Sequence, residues 1–259
     1  MSKPLQPDDP SPVAAAQSAI GPGGTFRNRQ SAIPDRYHRQ TVYANLGLAG
    51  QRRLASGAVL IVGVGALGCA AADALARAGV GRIRLVDDDV VTLENLHRQT
   101  LFDEADAAAR TPKVLAAQRR LARVNGDCRV ETAAVRLTAA NAAELADGMD
   151  LVVDGTDNFA TRFVINDLCV RDGRAWVFAG VVGAEAQTMT IVPGRSACLR
   201  CVFDAPPPVC QDPTCRSAGV LGPAVMAISG LQSMEALKIL AGRTDAISPY
   251  LTKFDLWTG

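Results

Sequence analysis

At 259 residues, with 48% hydrophobic and 20% charged side chains, the chain is long and apolar enough to bury one large α/β core. A formal net charge of +1 argues against nucleic acid or a membrane surface as its main partner. The opening residues carry Asp8 and Asp9 and no apolar core of signal length. With seven cysteines, an odd number, they lead us to expect reduced thiols in a cytoplasmic protein.

Residues 1–33, rich in Pro, Gly, Ser and Ala, read as a mobile tail. Pro34 opens a polar, helix-compatible segment, "PDRYHRQTVYANLGLAGQRRL". From Ala58 the pattern is strand, glycine turn, helix: "AVLIVG", then the alanine-rich "CAAADALARAG". Four further apolar runs follow, "RIRLVD", "CRVETAAV", "DLVVDGTD" and "AWVFAGVV". Helical patterns such as "KVLAAQRRLARVN" and "NFATRFVINDLCVRDG" separate most of them. This alternation predicts right-handed crossovers and a doubly wound, mainly parallel sheet. "AEAQTMTIVP" follows with no helix between, which predicts antiparallel strands toward the C-terminal part. Next come a Cys- and Pro-rich loop at 197–216 and a long helix from Val220 to Leu240. Gln232, Glu235 and Lys238 interrupt that helix, so it reads as buried rather than membrane-spanning.

Gly63, Gly65 and Gly68 spell G-x-G-x-x-G between a strand and a helix start, where bare amides and the helix dipole can hold a phosphate. The same glycines would also serve close packing of strand on helix. Asp87 ends the next strand, where an acid usually takes ribose hydroxyls. A nicotinamide cofactor therefore stays open at this point. The following residues weigh against it. Asp88 and Asp89 add negative charge, Arg98 and Lys113 follow, and "DGTDN" sets Asp154 and Asp157 beyond a strand end. A magnesium triphosphate needs this mixture, because cations neutralise phosphate oxygens while a carboxylate holds the metal.

In order, "RYHRQ", "GVGALG", "DDDVVTLENLHRQ", the lysine of "TPK", "DGTDN", "CLRC" and "CRSAGVLGP" resemble the ThiF/MoeB/HesA branch of the ubiquitin-activating-enzyme superfamily. The likeness runs over about 34–259. It implies one adenylation domain there, using ATP and magnesium on the C-terminal glycine carboxylate of a ubiquitin-like sulfur-carrier protein that ends in Gly-Gly. Thiamin or molybdopterin biosynthesis would be the pathway. By similarity ATP lies over Gly63, Gly65, Ala66 and Gly68. Asp87 holds ribose, with Asp89 beside it, and Asn95, Arg98 and Lys113 contact phosphates. Asp157 takes magnesium and Asn158 sits beside the nucleotide. Arg39 would reach the triphosphate of a neighbouring subunit, which implies a homodimer. Two departures stand out. Ala66 replaces a common glycine, a mild change if its methyl points away from the ligand. The approach to Lys113, "FDEADAAARTPK", is longer than usual and lacks the customary glycine.

The chemistry suits the inventory of side chains. A glycine carboxylate is ionised near neutral pH and needs no general base to attack the α-phosphate. It needs alignment of two anions and neutralisation of the leaving pyrophosphate. The two histidines, His38 and His97, therefore read as structural. Cys198 and Cys201 have zinc-ligand spacing but supply half a tetrahedral site, whose other half in the resembled family is a second pair near the C-terminus. Here the residues end at "FDLWTG". A zinc site would have to be completed beyond these residues or by Cys210 and Cys215, or it is absent, so we expect zinc to be held poorly. A redox role for the pair would need a helix N-terminus, and its neighbours suggest a loop. Cys215 matches a family cysteine implicated in covalent carrier chemistry in the thiamin branch. Cys69, Cys128 and Cys169 read as core. Other readings remain: adenylation of a different carboxylate (a modified tRNA or a peptide terminus), an NAD-dependent oxidoreductase, or a non-catalytic nucleotide-binding relative.

Overall fold

The computed structural model describes residues 34–203 and 218–259. The 1–33 tail, Cys210 and Cys215 lie outside the described residues. Seven strands build one sheet: β1 (Ala58–Val62), β2 (Arg82–Val86), β3 (Arg129–Ala133), β4 (Leu151–Asp154), β5 (Ala175–Val182), β6 (Glu185–Ile191) and β7 (Thr252–Asp255). Their order is β3-β2-β1-β4-β5-β6-β7. β1 to β5 run parallel, β6 pairs antiparallel with β5, and β7 pairs antiparallel with β6. The order reverses at β1, between β2 and β4. In an open α/β sheet that reversal opens a crevice at the carboxyl ends of the strands.

Alternation along β1 explains the two layers. Val59 and Ile61 enter one core with α3 (Ala66–Ala78), α5 (Lys113–Val124) and α9 (Gly222–Leu240). Ala58, Leu60 and Val62 enter the other with α6 (Ala142–Leu145), α7 (Phe159–Arg171) and α8 (Leu199–Val202). With both faces covered, all five β1 residues are buried, which is why the strand is a continuous apolar run.

Before the sheet, α1 (His38–Thr41) and α2 (Gly47–Ser56) occupy the polar segment after Pro34. Tyr37 is buried against Gly79, the left-handed cap of α3, and its hydroxyl accepts from Asn125 Nδ2 at 2.8 Å. Gln40 donates to the Ala78 carbonyl at 2.8 Å. These contacts pin α1 to the C-terminal end of α3, away from the glycine turn.

Three elements depart from the sequence reading. The long approach to Lys113 contains a short helix, α4 (Glu104–Ala108), closed by a capping box between Asp103 and Asp106. The C-x-x-C pair is not in a loop: Cys198 caps α8 and Cys201 lies within it. The helix from Gly222 is buried on one side only. Met226, Leu231 and Met234 are exposed on the other, with Met226 at 52%. Its polar interruptions, Gln232 and Glu235, point into the protein and are buried. Among the described residues no helix is long and apolar enough to cross a membrane.

Candidate functional site

A cleft of about 1230 Å³ lies over the carboxyl ends of the strands at the order reversal. Its floor is the turn from β1 into α3. Gly63 has φ +85°, and a Cβ there would lie 2.7 Å from the Gly155 carbonyl. A Cβ on Gly68 would lie 1.9 Å from the Gly63 oxygen, and one on Gly155 would lie 2.2 Å from the same atom. These three glycines let β1, α3 and the end of β4 touch. Gly65 differs, because a Cβ there would meet nothing within 3.8 Å. It faces the cleft and leaves room for a ligand to approach the backbone. Close packing accounts for Gly63 and Gly68, whereas Gly65 has no packing role that would exclude a side chain. Gly155 belongs to the same packing, and its place inside "DGTDN" was the only hint of it. Ala66 packs on an apolar cluster with Ala179 and Ile228 and also lines the cleft.

Asp87 stands beside the turn. Its carboxylate accepts from the Val64 amide at 2.6 Å and the Asp89 amide at 2.8 Å. Burial pushes its pKa above the ordinary carboxylate value, with Lys113 and these amides pulling the other way. Asp87, Asp88 and Asp89 group their oxygens within 4.8 Å. Each is already engaged: Asp88 accepts from Arg136 Nε at 3.2 Å and Asp89 from Lys113 Nζ at 2.8 Å. The lysine carry-over is thus qualified. Lys113 is buried in the cleft wall, but its ammonium is held by Asp89.

On the opposite rim, Asn95 is buried on a 3-10 turn, and Arg98 donates to the Glu94 carbonyl at 2.9 Å. Among the described residues no carboxylate pairs with Arg98. Both residues line the cleft. His97 is exposed, with its ring nitrogen 3.4 Å from the Arg98 guanidinium. His38 is likewise exposed.

The two acids of "DGTDN" part company. Asp157 is exposed at the cleft, 3.5 Å from the Asn158 amide. Asn158 caps α7, accepting from the Thr161 amide at 2.9 Å, so its side chain has a structural duty as well as a place in the cleft. Asp154, expected beside it, is instead fully buried. It pairs with Arg162 Nε at 2.9 Å and accepts from Thr156. Burial pushes the Asp154 carboxyl upward, against the pull of Arg162. Arg162 also donates to the Thr156 and Ala179 carbonyls and lies over the Phe159 and Phe178 rings. Sequence reasoning missed it, since a pair eight residues apart across a strand-to-helix turn leaves no local pattern.

Arg39 is exposed on α1 and does not line this cleft. It is fixed near the far end of α3, a helix of 13 residues or roughly 20 Å. Away from the cleft, the Cys198 and Cys201 sulfurs are 3.5 Å apart. Two corners of a tetrahedral thiolate–zinc site stand roughly 3.8 Å apart, so the pair fits half of one. The α8 segment is moored to α7 by Asn166, which accepts from the Leu199 amide at 2.9 Å, and by the Arg200–Asp167 pair.

Comparison with known proteins places this geometry. The ThiF family model matches residues 37–259. A Bacillus subtilis protein named sulfur carrier protein ThiS adenylyltransferase is 41% identical over 222 residues, 86% of this chain and 65% of its own length. A Thermus thermophilus sulfur carrier protein adenylyltransferase is 40% identical over 226 residues, 85% of this chain and 83% of its own. Sus scrofa MOCS3, named adenylyltransferase and sulfurtransferase, is 44% identical over 224 residues, and the chain spans only 49% of it. Among solved structures, E. coli MccB with ATP shares the fold, with a TM-score of 0.72 at 21% identity over 86% of this chain and 72% of that one. Given a family match from residue 37 onward and relatives at this level of identity, the chain belongs to the ThiF family.

Proposed function

We propose that this protein is an adenylyltransferase that uses ATP to activate the C-terminal glycine carboxylate of a ubiquitin-like sulfur-carrier protein, in thiamin or molybdopterin biosynthesis. The observation that carries the reading is the extent of the cleft. One half holds the glycine turn with Asp87, Arg98, Lys113 and Asp157, the groups suited to a nucleotide. The other half continues past Gly180 and Val182 to Gln187 and Lys253, on the antiparallel strands. At about 1230 Å³ the whole exceeds what a nucleotide alone fills and leaves a course for an extended peptide tail.

In the reaction, a carboxylate oxygen of the terminal glycine attacks the α-phosphorus. The new C–O–P link forms as the bond to the bridging oxygen breaks, and that oxygen leaves with its electron pair as part of pyrophosphate. No proton moves, so no base is needed. The protein's part is to align two anions and spread the leaving charge. Arg98, which no carboxylate holds among the described residues, would do that work. Lys113 joins it by sharing its ammonium between Asp89 and the phosphates. Asp87 would take ribose hydroxyls.

The donor set also suits magnesium, which binds through one or two carboxylates plus substrate phosphates. Asp157 is one of the cleft carboxylates that no cation pairs with among the described residues, with Asp87, Glu94 and Glu185, and it stands exposed just beyond the end of β4. When bound, the ion would neutralise phosphate oxygens. The working unit in this reading is a homodimer, with Arg39 supplied from the partner subunit. Its exposed position far from its own cleft and the apolar outer face of α9 support that. Cys215 keeps the covalent role implied by family resemblance.

Transfer of radiolabel from α-labelled ATP to the carrier tests the reading. Label should appear on a carrier ending in Gly-Gly and not on one whose terminal carboxylate is amidated. Equal labelling of both would show that another group is the acceptor.

A further inference from the structure

Gln99 is 3% exposed, yet its Oε1 has no hydrogen-bond partner among the described residues. A buried amide oxygen left unpaired costs roughly 1–3 kcal/mol, so a native one calls for a missing partner. Gln99 lines the cleft, held at its backbone by the Asn95 carbonyl at 3.0 Å. Its Nε2 lies 3.9 Å from the point where a Gly65 Cβ would stand, and that point is 3.8 Å from the Gly155 oxygen. The amide therefore sits above the β1–β4 junction. Asp87 and the strands for a nucleoside lie to one side, and β5 to β7 lie to the other.

The partner missing from Oε1 must be a donor. Phosphate oxygens and a carboxylate offer acceptors only, and the ribose hydroxyls belong to the Asp87 side. What an extended tail brings to the junction, two bonds from its reacting carboxylate carbon, is the terminal peptide N–H. Resting on the adenylation reading above, we infer that Gln99 positions the acceptor tail: Oε1 accepts the N–H of the terminal glycine while Nε2 donates to an oxygen of its carboxylate. One planar amide would then fix the rotation of the last residue and aim its carboxylate at phosphorus, an orientation effect on the acceptor rather than on ATP.

The test replaces the last peptide bond of a Gly-Gly carrier by an ester (terminal glycolate), which removes the N–H and keeps the carboxylate. With wild-type protein, ATP–pyrophosphate exchange should fall roughly tenfold on the ester carrier, the loss expected for one such bond. In Gln99→Met, exchange with the normal carrier should fall by a similar factor and the ester should cause no further loss, while KM for ATP stays unchanged. A wild-type protein indifferent to the ester overturns the contact even if Gln99→Met does not fold. So does a variant that loses as much on the ester as wild type does. Absence of exchange with every normal Gly-Gly carrier overturns the contact together with the adenylation reading beneath it.

Discussion

A methyl group added at Gly68 would lie 1.9 Å from a backbone oxygen, whereas one added at Gly65 would touch nothing closer than 3.8 Å. The motif spacing marks both positions alike, and only the fold separates packing from ligand approach. Gly68→Ala should therefore cost more than about 4 kcal/mol or prevent folding, because backbone must move against backbone. Gly65→Ala should shift the melting temperature by no more than a degree or two and weaken ATP binding roughly tenfold. Thermal melts and nucleotide titration on the two variants check this, and equal melting temperatures would contradict it. Cys198 and Cys201 were legible as a pair from spacing alone, but their helix was not, since α8 is too short to show a period. Two thiolates leave a zinc ion open to chelators. Elemental analysis of the 259-residue chain should find well under one zinc per subunit. Stoichiometric zinc lost on Cys215→Ser would show that the Cys- and Pro-rich loop completes the site.

At the scale of elements, the central strands β1, β4 and β5 were readable because burial on both faces turns them into nearly continuous apolar runs. What could not be read was how β4 joins α7. The acids of "DGTDN" look equivalent in sequence, yet Asp154 turns inward to Arg162 and Asp157 outward to the cleft. Gln232 of α9 adds to this joint, donating to the Asp154 carbonyl at 2.7 Å and the Val177 carbonyl at 3.0 Å. Arg162 is thus a brace under the cleft. Removing it leaves a buried carboxylate unpaired, so Arg162→Ala should lower stability by about 3–5 kcal/mol. An Asp154→Asn, Arg162→Met double variant, which leaves no buried charge, should recover most of that loss. Chemical denaturation of the three proteins measures it. A double variant no more stable than Arg162→Ala would mean the unpaired carboxylate is not the source of the cost.

For the molecule as a whole, the sequence reading expected a buried C-terminal helix, and the fold leaves one face of it bare. Periodicity could not reveal this, because α9 is apolar all round and the strip facing outward looks like the strip facing the core. Arg39 poses a matching problem, since α1 is anchored at the end of α3 opposite the glycine turn. The proposed homodimer would account for both, with a partner covering α9 and taking Arg39 into its cleft. An Arg39→Ala protein and an Asp157→Ala protein should each be inactive alone, and mixing them with verified subunit exchange should restore one working site per heterodimer. No recovery would place Arg39 outside the reaction.

In the proposed activity the cleft joins ATP to the tail of a carrier. ATP–pyrophosphate exchange against a panel of carriers ending in Gly-Gly tests it most directly. We predict exchange that depends on a carrier, requires magnesium and is lost in Asp157→Ala with its melting temperature intact. ATP binding without exchange for any carrier, or normal exchange in Asp157→Ala, would contradict the account.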